Sequence, residues 1–148
     1  ADFGVPSLVL KSKDITTALY DAGVQLVIMA GLLRRWPIPD RYVGRTINIH
    51  PSLLPLFGGK GMYGHHVHEA VLESGMRVSG CTVHFVTDDY DQGPIIGQRS
   101  VPVHWDDGPD TLAARVFEKE RELLPECVAL VANGEVVYES ERAIRRPR

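Results

Sequence analysis

An asparagine and a histidine stand two residues apart in Thr46 to Pro55, TINIHPSLLP, and a turn carrying two prolines follows at once. On an extended segment, residues i and i+2 face the same side. Asn48 and His50 can therefore converge on one small group. An amide NH₂ and a protonated imidazole both donate hydrogen bonds. Aimed together at one oxygen, they form an oxyanion hole for a carbonyl under attack, where each donor is worth roughly 3–4 kcal/mol of barrier. Pro51 fixes the backbone beyond and holds His50 extended. A turn-capping amide beside a satisfied structural histidine is the other reading of any Asn-x-His, and the pair alone does not separate the two.

Three carboxylates fall within Thr87 to Ile95, TDDYDQGPI. Asp88, Asp89 and Asp91 lack EF-hand spacing, and no other carboxylate is placed by sequence to complete a shell, so no metal is expected. Asp88 and Asp89 read as a solvated turn. Asp91 adjoins the Gln-Gly-Pro turn, where a carboxylate is held in one orientation. Beside His50 it would raise the imidazole pKa and keep the ring cationic, as a donor or proton shuttle. No nucleophile accompanies the set: Ser52 lacks a G-x-S-x-G elbow, and Cys81 sits in a strand that reads as buried. These residues favour direct attack by an amine or water on a bound carbonyl, without a covalent enzyme intermediate. Gly58 to His66, GGKGMYGHH, lacks the phosphate-loop pattern GxxxxGK[ST] and reads as a flexible substrate-side loop. His65, His66 and His68 are spread over different faces of a helix and read as surface or capping histidines.

The elements that must position these groups follow from periodicity. Val5 to Leu10 reads as a short strand. Asp14 to Gly23 reads as a helix with Asp14 as N-cap and Gly23 as terminator. Val24 to Gly31 is a nearly continuous apolar run, which suits a strand buried on both faces. Arg45 to Ile49 is a further strand. His65 to Gly75 reads as a helix. Val78 to Thr87 alternates as a strand, with Pro94 to Val103 as its antiparallel partner. Asp110 to Gly134 is a long amphipathic helix with Asp110 as N-cap, kinked or interrupted at Pro125. The segment EVVYES after it reads as an edge strand. Strand–helix–strand order followed by hairpin pairing points to an open α/β sheet of mixed direction. Ligands in such sheets gather outside the carboxyl ends of the strands, where AGLLRRW and NIHPS lie.

The 148 residues suit one domain, large enough to need no staple. The apolar fraction of 44% and charged fraction of 24% are those of a soluble globular protein. A net charge of −3 disfavours a nucleic-acid partner. The basic end, RAIRRPR, reads as a solvated terminus. Cys81 and Cys127 lie far apart in apolar contexts and read as reduced and structural. No run of about 18 apolar residues and no signal peptide are found, so no membrane partner is expected and the location reads as cytoplasmic. A monomer and a homodimer both remain open.

Three segments together, INIHPSLLP, GCTVHFVTDDYDQGPII and AGLLRRW, resemble the phosphoribosylglycinamide formyltransferase family, in order and spacing, over most of the chain. The resemblance implies a single formyltransferase-like domain over residues 1–148. It implies an open, mostly parallel Rossmann-like sheet flanked by helices, with a C-terminal hairpin region. The implied reaction moves a formyl group from 10-formyltetrahydrofolate to the amine of glycinamide ribonucleotide, in purine biosynthesis. Carried over by position, Asn48, His50 and Asp91 are the catalytic trio. Leu33, Arg34, Arg35 and Trp36 form one wall of a folate pocket, and Thr87, Asp88, Asp89 and Tyr90 the other. Arg35 and Trp36 stand where aliphatic residues are usual. Gly31 and Glu120 fall on the acceptor's side, with Phe117 where a glutamine is usual. The family's first strands and glycine-rich phosphate loop do not precede Ala1. The expectation is either the folate half of a longer protein or a reduced variant. A formyltetrahydrofolate hydrolase resembles the same motifs but usually has a second His where Pro51 stands. A folate-binding module without turnover is the third reading.

Overall fold

Strand β3, Val78–Phe85, is the axis on which the site is hung. The structure is a computed structural model that describes residues 4–146. Alternation on β3 sends Cys81, Val83 and Phe85 into the main apolar cluster, while Thr82 and His84 face the opposite side. Strand β2, Thr46–His50, does the same: Ile47 joins the apolar cluster, whereas Asn48 and His50 point the other way. The two strands pair antiparallel with Asn48 opposite His84 and His50 opposite Thr82. One sheet face is therefore core, and the other carries the chemistry.

The sheet runs β1-β2-β3-β4, with β1 at Val27–Met29 and β4 at Ile95–Pro102. β1 pairs parallel with β2, and the other two pairings are antiparallel. The expected sheet of mixed direction, flanked by helices, is what forms. Among the described strands the antiparallel pairings outnumber the parallel one, because the short β3–β4 connection allows only a hairpin. Helix α3, Pro109–Ala132, packs on β3 and β4 and buries Leu112, Val116, Leu123 and Cys127, one face at helical spacing. Helix α2, His65–Glu73, lies against α3. Helix α1, Ile15–Asp21, buries none of its residues. Among the described residues, no helix is long and apolar enough to cross a membrane. Both cysteines are free and buried, as expected, and burial pushes each thiol up to about 11.

Several expectations need correction. Residues 5–10 form no strand: Val5, Leu8 and Val9 are exposed, and no neighbouring strand among the described residues satisfies their backbone. The apolar run Val24 to Gly31 contributes only three strand residues, and Ile28 is 44% exposed. β1 is an edge strand among the described residues, with β2 as its one partner, so burial on both faces is not reached. Asp110 does not cap α3. It lies 3.4 Å from His65, while Gly108 is the N-cap, followed by Pro109 at the first helical position. Asp107 does the anchoring instead: it accepts from the His104 amide at 2.7 Å and the Thr111 hydroxyl at 2.9 Å, and binds Arg115 in a fork at 2.6 and 2.8 Å. These donors hold its carboxyl well below the usual range, the Arg115 guanidinium foremost. α3 runs without interruption through Pro125. The basic end is not a free tail. β5, Val136–Glu139, pairs with β6, Arg142–Arg145, in a separate hairpin, and Arg146 pairs with Glu139. Pro147 and Arg148 lie outside the described residues.

The proline turn after His50 is latched from β3. The buried Thr82 hydroxyl donates to the Ser52 carbonyl at 2.7 Å and accepts from the Leu54 amide at 3.1 Å. It also accepts from Gln98 Nε2 at 3.0 Å, and the same Gln98 nitrogen donates to the Leu54 carbonyl. Thr82→Val keeps the shape and strands three of these partners. It is expected to cost about 1–3 kcal/mol, read as a lower urea midpoint with unchanged slope; an unchanged midpoint would show that the latch contributes nothing.

Candidate active site

Asp91 is held where two loops and two strands meet. It follows Tyr90 in the β3–β4 loop, with a left-handed backbone at φ 55°. A Cβ on Gly93 would fall 1.7 Å from the Phe85 carbonyl oxygen, so only glycine lets this loop close on β3. The carboxylate, 12% exposed, reaches back over the sheet. Its Oδ2 accepts from the Gly59 amide at 2.9 Å and lies 3.6 Å from His50 Nδ1. Its Oδ1 lies 3.6 Å from Nε2 of His84. Burial alone would raise this carboxyl's pKa. His84, the Gly59 amide and His50 together outweigh it, so the Asp91 carboxyl lies below its usual range.

His50 is 4% exposed, and both of its nitrogens face protein. Nε2 donates to the Phe57 carbonyl at 2.8 Å, and Nδ1 faces Asp91. Here the structure corrects an expectation. Asp91 does pull the imidazole pKa upward, as does the Phe57 carbonyl, but burial is the larger effect and His84 adds to it. The His50 pKa is lowered from its ordinary 6.5, against the expectation of a ring held cationic by Asp91.

Asn48 is fixed by a residue that the sequence reading missed. Its Nδ2 donates to His84 Nε2 at 3.2 Å. His84 is 1% exposed, and its Nδ1 donates to the Phe85 carbonyl at 2.8 Å, which leaves Nε2 as the acceptor. The signal was present: His84 stands two residues after Thr82 on an alternating strand. Its use depends on the β2–β3 register, which one strand read alone does not reveal.

Asn48, His50 and Asp91 line an open cleft of about 1220 Å³. Its floor is Asn48, His50 and Asp91; the rim comes from Gly31, the Gly59–Gly64 loop, Tyr90, and Phe117, Glu120 and Arg121 of α3. Burial raises the Glu120 carboxyl. Leu33 lines the same cleft. The other expected pocket residues gather elsewhere: Arg34, Arg35 and Trp36 face Thr87, Asp88, Asp89 and Tyr90 across a neighbouring cavity of about 70 Å³ that shares Asn48 and Asp91. Small-molecule sites typically hold about 300–1,000 Å³, so this crevice is too small as it stands for a fused ring system. Arg35 and Asp88 are 4.0 Å apart across it. Trp36 turns inward, 6% exposed, and its indole donates to Thr16 at 3.0 Å. Of the three histidines near the glycine loop, His65 and His66 are exposed as expected, but His68 is only 5% exposed and lines the cleft. Among the described residues no cluster is arranged to hold a metal.

The chain matches the formyl transferase family model over residues 7–128. It is 42% identical over 138 residues to a chloroplastic phosphoribosylglycinamide formyltransferase of Arabidopsis thaliana, covering 92% of this chain and 47% of that protein. It is 40% identical over 111 residues to the phosphoribosylglycinamide formyltransferase of Escherichia coli (strain K12), covering 74% of this chain and 50% of that one. Its fold superposes on a glycinamide ribonucleotide transformylase 1 from Symbiobacterium toebii with a TM-score of 0.83 and 38% identity, over 97% of this chain and 66% of that structure. The chain thus spans about half the length of these curated relatives.

If Asp91 is what pulls His50 upward, Asp91→Asn should move the His50 titration, followed by NMR of the ring protons, to still lower pH. An unchanged or higher midpoint would break the coupling.

Proposed function

The chain belongs to the formyl transferase family, and on that premise we propose that its cleft transfers a formyl group from 10-formyltetrahydrofolate to the amine of glycinamide ribonucleotide, a step of purine biosynthesis. One observation carries this reading: a carboxylate from the β3–β4 loop lies 3.6 Å from the His50 ring, in the cleft that Asn48 also lines. The relatives' names supply the formyl group and its acceptor; the folate donor comes from the motif resemblance.

The chemistry asks for donors at the oxygen where charge grows. Asn48 has one N–H on His84, and the second N–H of that nitrogen remains for the acyl oxygen. His50 Nε2–H now rests on the Phe57 carbonyl, and an acyl oxygen entering the cleft would share or replace that acceptor. Negative charge developing there raises the His50 pKa, with Asp91 stabilising the imidazolium from behind. The ring would thus become cationic as the reaction proceeds. The acceptor amine attacks the formyl carbon directly, and the folate nitrogen leaves. Leu33, Arg34, Arg35 and Trp36 on one side, and Thr87, Asp88, Asp89 and Tyr90 on the other, would border the folate, with the crevice between them widening to admit it. Gly31 and Glu120 would face the ribonucleotide across the large cleft.

Incubating the chain with 10-formyltetrahydrofolate, with and without glycinamide ribonucleotide, tests the reading. Formyl loss that requires the ribonucleotide supports it. Loss with water alone indicates a hydrolase, and binding without loss a folate-binding module. Within the transferase reading, His50→Ala is expected to lower kcat by at least about 100-fold, with folate affinity within a few-fold; activity retained within a few-fold would remove His50 from the mechanism.

A further inference from the structure

His68 is a second imidazole in the same cleft, and nothing in the scheme above uses it. It sits one turn into α2, on the helix face that also buries Val71. The ring is 5% exposed and lines the cleft. Its Nδ1 is enclosed without a hydrogen-bond partner, and among the described residues its Nε2 makes no hydrogen bond either. A buried polar atom left unpaired costs about 1–3 kcal/mol, and such an orphan calls for a partner supplied by water or ligand.

The other titratable groups at the floor are in contact with one another or with the backbone. His50 spends Nε2 on Phe57 and turns Nδ1 to Asp91. Asp91 accepts from Gly59 and lies 3.6 Å from both His50 and His84. His84 is closed by Phe85 and Asn48. An amine that attacks a formyl carbon must give up one proton, and the departing nitrogen must gain one. Among the described imidazoles that line the cleft, only His68 makes neither a hydrogen bond nor an ion pair.

We propose that His68 is a further catalytic group, whose free ring nitrogen accepts the proton of the attacking amine as the new C–N bond forms and returns it to the departing nitrogen as the old C–N bond breaks. This rests on the transferase reading and deepens it. No proton is gained or lost overall, and no additional reactant is needed. Burial, then the positive potentials of His65 and His50, lowers the ring's pKa, so the lone pair is available at neutral pH. The titratable and charged groups around it are His65 on its own helix, His50 on β2, Lys60 and Tyr63 of the glycine loop, Asp91 of the β3–β4 loop, and Glu120 and Arg121 on α3. Glu120 is the rival base, since it lines the same cleft.

His68→Gln decides the matter, because an amide keeps a hydrogen bond at this position but cannot carry a proton. It is expected to lower kcat about 100-fold, the low end of what general acid–base catalysis supplies. KM for both substrates should stay within about threefold. The wild-type rate should fall as pH drops through the His68 pKa, and this acid limb should vanish in His68→Gln. His68→Ala should regain rate when free imidazole is added, and Glu120→Gln should keep the acid limb. Full activity in His68→Gln overturns the proposal. So does loss of activity with the acid limb intact and no imidazole rescue, which is the signature of a merely structural role. Should both variants fail to fold, ¹⁵N NMR of the wild type with glycinamide ribonucleotide bound replaces them: a shifted Nε2 resonance supports the contact, and an unmoved one ends it. A wild-type chain that binds both substrates but transfers nothing refutes the transferase reading itself, and that control is separate from every variant.

Discussion

One buried carboxylate organises the site. Asp91 lies 88% out of solvent on its side-chain surface by the complement of its 12% exposure, and an ion so placed must be compensated or it neutralises. Three separate parts of the chain meet it: the Gly59 amide of the glycine loop donates to Oδ2, and His50 at the end of β2 and His84 near the end of β3 each stand 3.6 Å away. The demand also explains the glycines that flank it. A Cβ on Gly58 would meet Leu54 Cδ2 at 2.5 Å and Asp91 Cβ at 3.1 Å, and Gly93 lets the loop touch the Phe85 carbonyl. Small residues on both sides let two loops approach one carboxylate.

That convergence carries an electrostatic consequence. The same enclosure that keeps Asp91 paired also strips water from His50, and desolvation exceeds the attraction of the carboxylate. On the proposed mechanism, a ring that becomes cationic only as negative charge grows would favour the charge-separated stage over the ground state. The Phe57 carbonyl fits this arrangement, since it keeps the Nε2–H oriented and satisfied until a better acceptor arrives.

Local pattern revealed the parts of this site that local pattern determines. Asn48 and His50 were legible because a strand places i and i+2 on one face, and Asp91 because its loop offers a carboxylate beside an obligatory glycine turn. The long helix was legible from its period, though not its start: Asp107 and Gly108, not Asp110, fix it, because a side chain three residues upstream of the expected cap gathers the His104 amide, Thr111 and Arg115. What stayed hidden needed information from a distant segment. His84 looks like one more residue of an alternating strand until the register sets it opposite Asn48. His68 looks like a helix-surface residue until α2 is seen lying against α3 beside the cleft. The run Val24 to Gly31 misled for the matching reason: apolar composition states what a segment can bury, not whether a neighbour is present to bury it, and Ile28 lies exposed on the edge strand.

The polar face of the sheet shows how such a site avoids weakening the fold. Thr82 and His84 alternate with Cys81, Val83 and Phe85 on a strand that is buried from Ser79 onward. Every polar group on the far face must therefore find a partner. Thr82 spends its hydroxyl on the proline turn, so the turn that follows His50 is tied to the strand beneath it. His84 spends its two nitrogens on Phe85 and Asn48. The groups that satisfy the buried strand are thus the groups that aim the donors, and positional accuracy in the cleft is inherited from the hydrogen-bond demands of β3.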